Sequence, residues 1–344
     1  MVEMGILGLP QSGKSTLFEI MTGVSDRDSH GDPCQRGQAM VPDSRFDHLV
    51  DIFQPLKASP ARVPFIDVNF RGDNAGESIR QVLNGSDGLV HVVDGFSSQN
   101  IQDILGHYRK LADDLILSDL LIVENRLERL ARLPVKALKP LDQSHLQILP
   151  ELKLHLEKGL PLRDMDLSDD VLNSLKSFSF LTIRPELVVI NMGENDAPVA
   201  NTSCNIADFP LPAIDISCRI EAELIGMTLP EQGEFLHDLG IDEPAFRRII
   251  RESFSLLGRI SYFTVGEDEV KAWVIPAGSR APRAAAAIHK DFERGFIKAE
   301  VVSYEDFVAC GDTLAGAKAA GKLRLEGKDY VIKDGDIVSF RFNV

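Results

Sequence analysis

Short, nearly continuous apolar runs recur along the chain, separated by longer stretches whose apolar residues fall at three- and four-residue spacing. Met4-Gly5-Ile6-Leu7 and the runs at 63–68, 89–94, 187–191 and 213–217 are rich in β-branched and aliphatic residues, as suits strands buried on both faces. Helical stretches lie between them, starting with 15–21, so the pattern predicts an α/β domain around a mostly parallel sheet. One interval breaks the alternation. From 115 to about 182, leucines at helical spacing stand beside Glu-Arg and Glu-Lys pairs on either side of a proline-marked turn at 134–140. Two amphipathic helices folded back as an inserted hairpin fit this pattern, and a helical layer packed on the sheet is the other reading. Residues 25–38 are polar and glycine-rich and read as irregular, either the first mobile loop of a switch protein or a plain surface loop. After a helix over about 243–257, strand signals at 260–265, 270–275, 324–326, 329–332 and 337–342 surround one clear helix at 284–292, the pattern of a small β-grasp fold. The expected domains are therefore 1–114 with 183–258, an insertion at 115–182, and 259–344.

The first strand and first helix enclose Gly8-Leu9-Pro10-Gln11-Ser12-Gly13-Lys14-Ser15. This is the phosphate-loop pattern G-x-x-x-x-G-K-[ST] in the strand-loop-helix setting it requires. Gly8 and Gly13 let the backbone turn its amides inward on phosphates at a helix N-terminus, where Thr16 continues the first turn. Lys14 reaches the outer phosphates, and the Ser15 hydroxyl can ligate magnesium. ATP or GTP with Mg2+ is the cofactor this loop predicts.

Size and charge narrow the picture further. A chain of 344 residues holds two or three domains. The net charge of −15 argues against a broadly basic nucleic-acid-coating surface, and no recognition of DNA sequence is expected. From Arg259 onward acids and bases balance at 13 each, so the whole acidic excess lies in 1–258 and a nucleic-acid partner would meet the C-terminal part more readily. The four cysteines, Cys34, Cys204, Cys218 and Cys310, form no C-x-x-C pair and suit reduced thiols. Nothing in the sequence approaches the roughly 20 apolar residues of a membrane span or the basic start of a secretory signal, so a cytoplasmic protein is expected. His91 reads as core, because Asp94, three residues along the same strand, points to the other face.

Several strings carry a family resemblance. The loop, the segment Val41-Pro-Asp-Ser-Arg-Phe-Asp-His-Leu-Val-Asp-Ile-Phe-Gln-Pro55, the hairpin, and the C-terminal strings 263–273, 288–300 and 327–336 together resemble the YchF/Obg-like ATPase family of translation-factor-class phosphate-loop NTPases. The resemblance spans the whole chain and is most specific at the C-terminus. It implies a Ras-like G domain interrupted by a helical coiled-coil hairpin and followed by a TGS (ubiquitin-like, β-grasp) module. It also implies ATP preferred over GTP, and association with the ribosome or its RNA through hairpin and TGS module. Asp67 matches the family aspartate that holds magnesium through water. Asn191-Met192-Gly193-Glu194 stands where GTPases carry N-K-x-D. An aspartate there accepts the two N–H donors of guanine, a role adenine does not offer, and N-x-x-E is the family's ATP-leaning form, with Asn191 and Glu194 facing the base. Ser217-Cys218 resembles the next base-proximal motif, with Cys218 in place of the usual alanine.

Three departures bear on turnover. The family's D-x-x-G is Asp67-Val68-Asn69-Phe70 here, so the glycine whose amide meets the γ-phosphate is absent, and Gly72 serves only if the loop is re-registered. No threonine occurs between Thr22 and Thr182, leaving Ser25 or Ser29 for the first switch. No glutamine comes just after Asp67 to orient the attacking water, but the family already lacks it. Phosphoryl transfer rests on positioning and charge stabilisation, so these changes predict slow intrinsic hydrolysis, with a nucleotide-bound scaffold that never turns over as the alternative.

Overall fold

All five apolar runs of the N-terminal three-quarters become strands of one sheet. The computed structural model describes residues 3–25, 34–68, 75–97, 100–193, 209 and 211–343. In chain order the elements are β1 (Met4–Gly8), α1 (Lys14–Thr22), β2 (Cys34–Met40), α2 (Ser44–Phe53), β3 (Lys57–Ser59), β4 (Arg62–Val68), α3 (Ala75–Leu83), β5 (Gly88–Asp94), α4 (Ile101–Ala131), α5 (Pro140–Glu157), α6 (Asp169–Leu175), β6 (Glu186–Asn191), β7 (Ala213–Ile216), α7 (Cys218–Ile225), α8 (Leu229–Asp238) and α9 (Ala245–Leu256). The C-terminal part adds β8 (Arg259–Thr264), β9 (Glu269–Pro276), α10 (Ala281–Ile288), α11 (Lys290–Arg294), β10 (Phe296–Ser303), α12 (Tyr304–Ala309), α13 (Leu314–Ala319), β11 (Arg324–Glu326) and β12 (Asp336–Phe342). The chain divides into two compact units, Met1–Gly37 with Pro64–Ile249, and Gln38–Val63 with Ile250–Val344.

The first unit is built on the sheet ordered β2-β4-β1-β5-β6-β7. β1 pairs in parallel with β4 and β5, and β6 in parallel with β5 and β7. All five residues of β1 are buried, as a central strand covered on both faces requires. Parallel strands bring their C-terminal ends to one edge, and Gly8, Asp67, Asn191 and Ser217 all lie at or just beyond such ends. β2 begins inside the segment read as irregular. Its burial alternates, with Gln35 and Ala39 inward, and a polar residue at an inward position hid the strand signal.

The helical interval differs from a simple insertion at 115. α4 runs unbroken for 31 residues: Ile104, Leu105, Tyr108, Leu111 and Leu115 pack with the sheet, whereas Ile116, Val123 and Leu130 pack with Leu149, Leu152 and Leu156 of α5. The expected boundary thus falls in mid-helix, because the leucine stripe continues across it. Asp119 fixes the chain where it returns. Its carboxylate, fully buried, accepts from the amides of Leu181 (3.1 Å) and Thr182 (2.8 Å), from the Thr182 hydroxyl (2.7 Å) and from Arg80 (2.8 Å). Deeper in the same unit, His91 is buried as expected, its Nδ1 3.0 Å from Glu186 Oε1, with the Tyr108 hydroxyl and Arg163 also on Glu186.

The second unit carries the sheet ordered β11-β10-β12-β8-β9-β3. Tyr262 and Phe263 are successive in β8 and so face opposite sides. Tyr262 lies beneath α10, its hydroxyl donating to Ala284 O at 2.9 Å, while Phe263 meets Phe46 of α2 (centroids 6.4 Å apart). The 41–55 string, expected in the phosphate-loop domain, therefore covers the C-terminal sheet, because β3 pairs with β9 and Arg45 reaches Asp334 at 2.8 Å. The expected helix at 284–292 is two helices, broken at His289, whose backbone is extended. The expected strand at 329–332 reduces to one bridge, Arg280 to Val331. Among the described residues no helix is long and apolar enough to cross a membrane.

Removing the Asp119 carboxylate leaves two buried amides unpaired and takes from Arg80 its counter-ion, though Arg80 still donates to Ser118 Oγ and Ser179 O, so Asp119→Ala is expected to lower the unfolding free energy by roughly 3 to 5 kcal/mol, and Asp119→Asn by less. Urea unfolding at neutral pH measures both; a loss under about 0.5 kcal/mol for the alanine variant would mean that this carboxylate does not hold the returning chain.

Candidate nucleotide-binding site

The loop after β1 is shaped by two residues with left-handed backbones, Gln11 (φ 67°) and Gly13 (φ 93°). Ser12 N donates to Leu9 O at 3.2 Å, closing the turn, and α1 starts at Lys14 behind Gly13, an N-cap residue that has no side chain to offer as a cap. Neither glycine tolerates a side chain. A Cβ at Gly8 would lie 2.5 Å from Val92 O and 2.6 Å from Ser12 Oγ, and one at Gly13 would lie 2.3 Å from Asn191 Nδ2. Successive amides around a left-handed turn at a glycine-capped helix start form a cradle suited to an anion.

Asn191, at the end of β6, holds this cradle from behind. Its Nδ2 donates to Ser12 O (3.0 Å) while its Oδ1 accepts from the Cys218 amide (3.0 Å). The Cys218 Sγ stands 3.9 Å from Gly13 O, and burial pushes the thiol up to about 12, so it remains protonated at neutral pH. The β6 end is held to its neighbours by Met192 N to Ile216 O (2.7 Å) and Gly95 N to Asn191 O (2.9 Å). Asn191, expected to face the base, thus spends both ends of its amide on the protein. Sequence reasoning missed this latch, although an asparagine at a strand end opposite a glycine-rich loop was its signal.

The other expected residues divide. Asp67 is fully buried in β4, in register with Ile6 of β1. Lys14, Ser15 and Leu9 are half-buried, and Pro10, Gln11 and Thr16 are exposed. Ser12 Oγ and Ser217 Oγ are buried with no hydrogen-bond partner among the described residues, polar atoms that a ligand in the loop could satisfy. Met192 instead sits in the apolar cluster with Val93, Ile104, Ile190 and Phe209. Glu194, Ser29, Phe70, Gly72 and most of the proposed first switch loop lie outside the described residues. Among those described, no group of three or more His, Cys, Asp or Glu side chains could hold a metal by itself. A hydroxyl and a carboxylate, Ser15 and Asp67, are the hard oxygen donors magnesium takes alongside phosphates and water, so the residues present fit a magnesium nucleotide.

Glu221 buttresses the same edge one turn along α7. Its Oε1 accepts from Ala245 N at 2.6 Å, while Oε2 is buried with no hydrogen-bond partner among the described residues. Burial pushes the carboxyl up to about 7, against the opposing pull of the Ala245 and Phe246 amides. Between the ordinary carboxylate value near 4.5 and about 7, the folded protein keeps a proton that the unfolded chain has released, so stability falls as pH rises through that window. Glu221→Gln keeps the Oε1 acceptor and is expected to abolish the decline, leaving the variant more stable than its parent at pH 8 by about 2 kcal/mol. Urea unfolding at pH 5 and pH 8 checks this, and an identical pH slope in the two proteins would contradict it.

Residues 259–343 match the family model YchF-GTPase_C, described as "Protein of unknown function (DUF933)". Over 99% of both chains, the sequence is 37% identical to "Ribosome-binding ATPase YchF" of Bacillus subtilis (strain 168) and 36% identical to the protein of that name in Pasteurella multocida (strain Pm70). It is 34% identical to "Obg-like ATPase 1" of Oryza sativa subsp. japonica, over 100% of this chain and 92% of the other. Among solved structures it is similar to "Structure of the Schizosaccharomyces pombe YchF GTPase", with a TM-score of 0.84, 27% identity, and coverage of 99% of this chain and 97% of that one.

Proposed function

The chain belongs to the YchF family, and from that premise we propose that it binds ATP with Mg2+ in the loop from Gly8 to Ser15, hydrolyses it slowly, and acts as a ribosome-associated switch in the cytoplasm. The observation that carries the nucleotide part is the cradle itself: two glycines with no room for a Cβ, and an asparagine amide bracing the loop from behind. The loop amides and Lys14 take the phosphates, and Ser15 with Asp67 takes the magnesium ion, which when bound neutralises charge on the outer phosphates. Glu194, three residues after Asn191 in sequence, carries a longer side chain than the guanine-reading aspartate of N-K-x-D, and this disfavours guanine. The ribosome part rests on the relatives' printed names, with the hairpin and the C-terminal module as the contacting parts.

Slow turnover follows from Phe70 in place of the switch glycine and from the missing switch threonine. Each lost oriented contact to the transferring phosphoryl group costs about 10² to 10³ in rate while leaving the ground-state cradle in place. Those same departures favour one second reading, a nucleotide-bound scaffold that does not turn over.

Calorimetric titration of ATP, ADP and GTP with Mg2+, followed by phosphate release with and without ribosomes, tests the proposal. ATP is expected to bind more tightly than GTP, Lys14→Ala to weaken it by about 100-fold or more, and release to exceed background. Binding without release selects the scaffold, and absence of nucleotide binding removes both readings.

A further inference from the structure

We propose that the groove between the outer edge of β9 and helices α10 and α11 takes an extended acidic peptide, added to the sheet as a further strand. The surface lies wholly in the second unit and does not depend on the nucleotide reading.

The sheet edge comes first. β9 is eight residues long, but its outer neighbour β3 pairs only with Glu269, Val270 and Lys271. From Ala272 to Pro276 no strand lies on that side among the described residues. Such an edge presents backbone donors and acceptors that an incoming strand can pair with. A cavity of roughly 610 Å³ opens there, lined by the consecutive residues Val274, Ile275 and Pro276. Neighbours along a strand point to opposite faces, so a cavity touching three in succession looks onto the strand's edge.

The opposite wall gives the partner its chemistry. Ala286 and Ala287 of α10 present short apolar side chains, leaving depth for the side chains of an added strand, and Ile275 closes the floor. Around this apolar strip stand Arg283, Lys290 and Arg294, all exposed, with no ion pair among the described residues, against the single acid Glu293. A second cavity of roughly 480 Å³ continues the groove past Pro276 and adds exposed Lys328; there Arg280 is paired with Asp329 at 2.9 Å. In a unit whose C-terminal residues carry equal numbers of acids and bases, this excess of unpaired cations is local. It complements a carboxylate-bearing segment whose backbone pairs with β9. A single-stranded RNA is the poorer fit, because no aromatic side chain lines either cavity to stack a base.

The test uses the full-length protein and a displayed library of random 12-residue peptides. Selection is expected to enrich a β-branched run flanked by two or more acids. A synthetic peptide of the winning sequence is expected to slow amide exchange at residues 272–275 and to bind at least tenfold more weakly to Arg283→Glu/Lys290→Glu. The neutral pair Arg283→Gln/Lys290→Gln is expected to fall between, and unchanged thermal unfolding of both variants separates lost contact from lost fold. Enrichment of sequences without acids, affinity indifferent to both double variants, or protection elsewhere than β9 would overturn the proposal. A uridine-rich 12-nucleotide RNA that binds with the same dependence on Arg283 and Lys290, where no peptide does, would reassign the groove to nucleic acid.

Discussion

A close approach between one asparagine and one glycine sets the shape of the nucleotide site. Gly13 is confined to glycine for two independent reasons: its φ of 93° lies in the left-handed region, and Asn191 Nδ2 occupies the space where a Cβ would stand. Asn191 in turn is fixed by its bonds to Ser12 O and Cys218 N. Each bond contributes only about 1 kcal/mol net, but breaking one leaves a buried polar atom unsatisfied at a cost of about 1 to 3 kcal/mol. The phosphate loop, the end of β6 and the start of α7 therefore move as one piece or not at all. Anything that shifts the Asn191 backbone is felt at the amides around Gly13, so the site is preorganised from its back wall.

The same economy of contacts governs the helical arm. α4 packs on the sheet with its first four turns and on α5 with the rest, so no hinge residue separates the domain helix from the hairpin helix. Asp119 stands close to that changeover and captures the returning chain with three hydrogen bonds, and a fourth ties it to Arg80 of α3. A helix with no break at the domain boundary and a buried carboxylate at its crossing point make the arm a rigid extension of the sheet. Exposed Leu117 and Leu121 continue along the outside of the same helix.

Much of this was legible in the residues. The five strands declared themselves by short, nearly continuous apolar runs, and the phosphate loop by its spacing within a strand-loop-helix setting. What escaped followed physical causes. β2 has glutamine at an inward position and so lacks apolar alternation. The break at His289 divides a helix whose apolar spacing runs on across it. The 41–55 segment was read by its neighbours in sequence, whereas its partners are Phe263, Tyr304, Phe307 and Asp334, more than 200 residues away, and long-range pairing leaves no local signal. At the site, the pattern identified the loop but not the bonds of Asn191 to Ser12 and Cys218, since spacing shows which residues reach one sheet edge and not which atoms they spend on each other.

On the proposed reading, holding a nucleotide and cleaving it would draw on different parts of this chain. The cradle is built from Gly8, Ser12, Gly13, Asn191 and Cys218, each fixed by packing or by a bond to another member. Turnover on the proposed reading would draw on the segment after Asp67, where Phe70 stands in place of glycine, and on a switch threonine the sequence does not contain. The bonds described within the cradle run among Ser12, Gly13, Asn191 and Cys218. A change of switch residues alters contacts made only as the phosphoryl group transfers and leaves ground-state contacts to the phosphates intact, so binding and rate can diverge by orders of magnitude. On that reading, a chain can keep the architecture of its family and its hold on the phosphates while its rate of turnover changes independently.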